Sequence, residues 1–180
     1  MPSDQRSLIR LLQLAYSAER AAAFAYRGHA GSVRKTPEKE ALAQIEAEEW
    51  DHRECVGGIL AALGHTPSRY LEFKYLVIGK FIGLSCYVIG WFLPMYFAGR
   101  LESGNVNEYV ELKILLNAAG HDRWDDDVIT MTNVEKEHEV FFAEAVAGHW
   151  MLPLFSTLFR WSPTRSFNSW ELPDTRNLAS

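Results

Sequence analysis

Leu42 to Leu63 reads LAQIEAEEWDHRECVGGILAAL, and the centre of this stretch decides the fold. Leu42, Ile45, Val56, Ile59 and Leu63 recur at three- and four-residue steps, the spacing of one helix face. Glu49 and His52 occupy two successive places on that apolar stripe. A second stripe, Trp124, Val128, Met131, Glu135, His138, Phe142 and Ala145, carries the same substitution at its centre. On a helix, residues three apart project from one face, so each Glu-x-x-His pair can offer an oxygen and a nitrogen to one centre. Burying an ionised carboxylate without a partner costs several kcal/mol. Two helices with the same costly pair at mid-length need a compensating positive charge, and two divalent cations would supply it.

Each of these helices is preceded by one with an isolated acid among apolar residues. In the first helix, patterned by Leu8, Leu11, Leu12, Ala15, Tyr16, Ala22, Ala23 and Tyr26, that acid is Glu19. Ser3 or Asp4 can cap this helix, and Gly28 and Gly31 are expected to end it. The second helix is expected to start at Thr36-Pro37 and stop at Gly64. A long connection containing Pro67 leads to an apolar stretch, Tyr75 to Ala98, that passes into a third helix ending near Ala118. Gly79, Gly83, Gly90 and Pro94 predict a kink or break within it. Its candidate acids are Glu102, Glu108 and Glu111. At about 100° per residue, Glu108 lies roughly 240° and Glu111 roughly 180° from Glu102, so one alone can face the centre. Glu102 shares a face with Met95, Ala98 and Tyr109 and is the choice, with Glu108 second. A fourth helix runs from about Asp122 to Gly148. Among the neighbouring acids, Glu46 is the nearest competitor of Glu49. Most of the others, Glu48, Glu54, Glu137, Glu139 and Glu144, fall off the stripes and read as solvated charges.

One Glu from each of two helices and one Glu-x-x-His from each of two others is the ligand set of ferritin-like di-iron carboxylate bundles. The expected fold is therefore all-α, a ferritin-like four-helix bundle over residues 1–149. Residues 150–180 form an apolar, aromatic extension. Mixed oxygen and imidazole ligands suit two iron ions, with manganese the alternative. The 180 residues allow one domain, and a formal charge of -5 gives no reason to expect nucleic acid. Cys55 and Cys86 sit in apolar stretches and read as free thiols of a reducing compartment. The polar N-terminal ten residues lack the apolar core of a signal peptide, so an intracellular location is expected.

The sequence resembles the demethoxyubiquinone hydroxylase family. The resemblance rests on Glu19 to Gly28 (ERAAAFAYRG), on the acidic helix from Glu46 to His52, and on Thr66-Pro67-Ser68 before a glycine-studded apolar segment. Glu102 with Tyr109 seven residues on, and Glu135 with His138, complete it. One departure is that the family has a histidine just before that tyrosine, where this chain has Glu108. The resemblance implies a monooxygenase that uses two iron ions and O2 to hydroxylate a lipophilic, quinone-like ring. Glu19, Glu49, His52, Glu102, Glu135 and His138 would be the ligands. Tyr109 is either a hydrogen-bonding or redox residue beside the metals or a core tyrosine with a satisfied hydroxyl.

Tyr75 to Ala98 contains one charge, Lys80, but Glu102 must sit inside the bundle, which leaves too few residues for a straight span of a bilayer of about 30 Å. A segment embedded in the membrane interface fits better, and Trp150 to Trp161 reads similarly, with a dimer interface or a fold back onto the bundle as alternatives. The expected partners are a quinone-like small molecule and a membrane surface, with a homo-oligomer open. Rival readings are a ferritin- or rubrerythrin-like iron-oxidising or peroxide-scavenging protein and a catalytically silent metal bundle. The absent Cys-x-x-Cys pair speaks against rubrerythrin, and the apolar third segment against a ferritin cage.

Overall fold

The structure, a computed structural model, describes residues 2–163. Among these residues it contains α-helices joined by turns and a single 3-10 turn, with no strand: α1 (Pro2–Ser32), α2 (Thr36–Ala62), α3 (Arg69–Ser85), α4 (Phe92–Ala118), α5 (Asp125–Val146) and α6 (Leu152–Phe159). The part of the expected C-terminal extension from 164 to 180 lies outside the described residues.

Side-chain pairs set the running directions. Arg27 reaches Glu46 and Arg53 reaches the Tyr16 carbonyl, so α1 and α2 are antiparallel. Lys113 pairs with Asp125 and Asn105 with Glu135, so α4 and α5 are antiparallel too. Tyr26 bonds Glu102 while Tyr109 bonds Glu19, which sets α4 antiparallel to α1. Helices α2 and α4 therefore point the same way, and α3 carries the chain back between them. It runs parallel to α1, with Arg20 on Glu72 near its start and Gly28 on Gly83 near its end.

Gly28 and Gly31 do not end the first helix; α1 continues through both to Ser32. A Cβ on Gly28 would lie 2.4 Å from the Gly83 Cα, and one on Gly79 2.4 Å from the Ala21 carbonyl oxygen. These glycines let two helix backbones touch, and punctuation is not their role. At the start of α2, Lys35 takes the cap position and Thr36 is already helical, with Pro37 in the first turn. Gly64, at φ +76°, ends that helix as expected. The expected third helix is two helices. Ser68 caps α3 by accepting from the Leu71 amide, and the chain breaks over 86–91, where Gly90 has φ +82°. Pro94 sits in the first turn of α4, where its missing N–H costs little.

Two cores flank the middle of the bundle. One is mainly aliphatic, built from Leu8, Leu12, Val56, Ile59, Leu60, Leu112, Leu116 and Val128. The other is aromatic, with Tyr26, Phe92, Tyr96, Phe142 and Trp161, and α6 packs Phe155 and Phe159 onto it. On α1, α2, α4 and α5 alike, the expected ligand residues fall between the two.

Candidate metal centre

Glu19 comes from α1, Glu49 and His52 from α2, Glu102 from α4, and Glu135 and His138 from α5; all six are buried. Their ligating atoms form two quartets, each with its atoms within 4.8 Å of one another. Glu19, Glu49, His52 and Glu135 make the first; Glu49, Glu102, Glu135 and His138 make the second. Glu49 and Glu135 belong to both, so the carboxylates of the two Glu-x-x-His motifs stand between the quartets and the other acids stand outside.

Burial pushes the carboxyls of Glu19, Glu49 and Glu102 above the ordinary range, and the charge of Glu135 pushes them further. Burial acts on Glu135 in the same sense. The hydrogen bonds of His52 and Glu102 outweigh it and hold Glu135 low. His52 is the reverse case: burial disfavours its charge, but Glu135, 3.0 Å from Nδ1, raises it. Oε2 of Glu19, both oxygens of Glu49 and Nδ1 of His138 are buried without a hydrogen-bond partner. Four buried carboxyl groups, with acceptor atoms left over, fit two divalent cations, whose charge would balance that of the ionised acids. The buried Glu and His groups could thus hold metal.

The expected Tyr109 is fully buried and donates its hydroxyl to Glu19. The pattern has a mate that the sequence reading missed: Tyr26 donates to Glu102. Tyr26 follows Glu19 by seven residues, as Tyr109 follows Glu102, and that repeated interval was the available signal. Each tyrosine thus ties the acid of the opposite helix. Asn105 was also missed; it donates to Glu102 at 2.8 Å and to Glu135 at 3.2 Å. Glu48 is not an idle solvated charge. It sits 2.7 Å from Nε2 of His138, which leaves Nδ1 directed to the centre, 3.6 Å from Glu49. Such an outer partner fixes the orientation of a ligating imidazole.

Glu46 is not a ligand candidate in the structure, because Arg27 holds it at 2.6 Å. Glu139 is buried, unlike the solvated residue expected, and accepts from Lys136 and from the Trp161 indole. Glu54, Glu137 and Glu144 are exposed as expected. Glu108 stays out of both quartets, half-buried, with burial and the charges of Glu19, Glu111 and Glu135 raising its carboxyl to about 7. Cys55 and Cys86 are free thiols, and burial raises both to about 11.

A cavity of about 450 Å³ opens beside the centre between α1, α3 and α4. Glu19, Glu102 and Asn105 line its inner end, and Ala22, Ile78, Ile82, Leu93 and Phe97 make most of its wall apolar. Its size falls in the range of small-molecule sites. No family model, curated protein or solved structure matches this chain.

Proposed function

We propose that the chain is a ferritin-like, di-iron, O2-dependent monooxygenase that hydroxylates a lipophilic, quinone-like ring, as its resemblance to the demethoxyubiquinone hydroxylase family implies. One observation carries the reading: two ligand quartets share Glu49 and Glu135, and one further acid of each, Glu19 and Glu102, lines an apolar cavity. The topology supports it, since α1, α2, α4 and α5 with one long crossover are compatible with a ferritin-like plan. Glu19, Glu49, His52, Glu102, Glu135 and His138 would hold the ions, with Glu48, Tyr26, Tyr109 and Asn105 orienting them. When bound, the iron pair would supply the redox chemistry by which one atom of O2 enters the ring and the other leaves as water, with two electrons from a reductant and two protons from solvent.

The chain's own part is positional. The two tyrosine hydroxyls hold Glu19 and Glu102 against the pull of solvent, and the aliphatic and aromatic cores keep water from the centre. The apolar cavity wall favours an organic substrate over iron storage, because a cargo ion needs a polar path. No described helix is long and apolar enough to cross a membrane. Tyr70, Phe73, Val77, Phe81 and Leu84 are nevertheless exposed along one face of α3, and Trp150, Leu154 and Leu158 are exposed at α6. These residues would rest on an intracellular membrane surface, where a lipophilic ring is found.

The test is oxygen consumption by the anaerobically purified ferrous protein, with and without a short-chain hydroquinone. The reading predicts consumption coupled to a product one oxygen atom heavier. Fast oxygen uptake indifferent to the hydroquinone, with ferric iron accumulating on the protein, would replace it with iron oxidation.

A further inference from the structure

Two residues lining the cavity hold a buried side-chain polar atom without a partner: Glu19, through Oε2, and His29, through Nε2. The metal centre accounts for the first. Nothing among the described residues accounts for the second. His29 is 2% exposed and lies nearly parallel to the Phe142 ring, 6.3 Å between centroids, so its orientation is set by packing. Three other polar groups on the cavity wall are engaged: Ser85 and Cys86 donate to the Ile82 carbonyl, and Tyr26 donates to Glu102. An imidazole is normally not left buried with an unfilled nitrogen unless something else completes it.

The position of His29 defines what that something is. His29 lies ten residues beyond Glu19 on the same helix, about 15 Å of rise, but one turn beyond Tyr26, whose hydroxyl donates to Glu102. An oxygen atom held by His29 therefore belongs to the part of a ligand that lies nearer Glu102 than Glu19. Burial pushes the imidazole down to about 4, against the pull of Glu38, so it is neutral near pH 7. A neutral imidazole can donate to a carbonyl or accept from a hydroxyl, and has no charge to offer an acid.

We propose that His29 is a positioning residue that holds an oxygen atom of an uncharged ligand in this cavity. This rests on the reading of the cavity as the substrate site, and it adds which end of the substrate is read by a polar group. The interaction fixes how far the ligand enters, and so which atom is presented to Glu19 and Glu102.

Two probes test it on the full chain by fluorescence titration: decyl-1,4-hydroquinone and decylbenzene, which has the same tail and no oxygen. His29→Phe keeps the stack on Phe142 and removes the nitrogen. It is expected to weaken hydroquinone binding about tenfold while leaving decylbenzene unchanged. The ligand-free melting midpoint should not fall, since no internal hydrogen bond is lost, and His29→Gln should restore part of the affinity. Equal loss for both probes, unchanged hydroquinone binding, or a lowered ligand-free midpoint overturns the inference. Metal content measured on the same samples separates the two readings. Two ions per chain with no dependence on His29 removes the anchor alone. Hydroquinone binding through His29 in a protein that takes up no metal removes the metal centre alone.

Discussion

The two helical hairpins, α1–α2 and α4–α5, are alike inside and unlike outside. Each contributes an acid, a tyrosine seven residues later and a Glu-x-x-His pair, and each tyrosine bonds the acid of the other hairpin. Their coverings differ. On α1 lies α3, backbone against backbone through Gly28, Gly79 and Gly83; on α4 lies α6, through the rings of Tyr96, Phe97, Phe155 and Phe159. Three residues beyond the first acid, one hairpin has Ala22 and the other Asn105. The shared interior is what two cations would need. The differing exteriors follow from access, since the cavity opens on the side where α3 rests on α1.

The largest expected effect tests whether the hairpins share their ligands. Glu135 belongs to both quartets, so Glu135→Ala should weaken uptake of both ions by more than about 100-fold, beyond what loss of an outer partner does. Glu137→Ala, on the exposed face of the same helix, should leave both in place. Metal content after dialysis against a weak chelator reads the difference. If Glu135→Ala keeps one full equivalent, the two sites are independent and the shared arrangement is wrong.

Next comes the equivalence of the tyrosines. Tyr26→Phe and Tyr109→Phe each remove one hydroxyl from a carboxylate and keep the ring, so each should lower metal affinity about 10- to 100-fold. Similar losses would show the hairpins to be energetically matched. A loss confined to one would show that a single half carries the site.

A pH effect follows from the buried acids. In the metal-free chain, Glu19, Glu49 and Glu102 titrate above the ordinary 4.5, so the folded state binds protons more tightly than the unfolded state. That contribution is fully present below 4.5 and is lost as pH rises through the folded values; Glu135, held low, opposes it as one group against three. The chelated protein should therefore melt lower at about pH 8 than at about pH 5, and metal should reverse the order because it takes the ionised carboxylates. Thermal scans with and without chelator check this.

The smallest effect concerns the coverings. Gly28→Ala forces apart α1 and α3 and should cost about 1–3 kcal/mol in denaturant unfolding. Gly104→Ala on α4 meets nothing within 4 Å and should gain about 0.5–1 kcal/mol from helix propensity. Equal effects would mean that the close contact is not a constraint.

The stripes of α2 and α5 were legible in the sequence because Glu and His replace apolar residues at fixed helical steps. The all-helical class and the six converging residues followed from that. What was not legible depends on partners from distant helices. Gly28 looks like a helix stop until Gly83 is seen against it. Glu48 and Glu139 have the same local pattern as the exposed Glu54 and Glu137, and only His138 and the Lys136–Trp161 pair distinguish them. Glycines and Pro94 announced the interruption between Tyr75 and Ala98, but its place was set by the positive φ at Gly90, which local sequence does not dictate.

The account depends on two cations held between four carboxylates and two imidazoles. X-ray absorption on the anaerobically iron-loaded full chain tests this most directly, with metal content measured on the same sample. The expected result is two ions per chain and an iron–iron scattering path at about 3.5–4 Å. One ion per chain, or two with no such path, would contradict it.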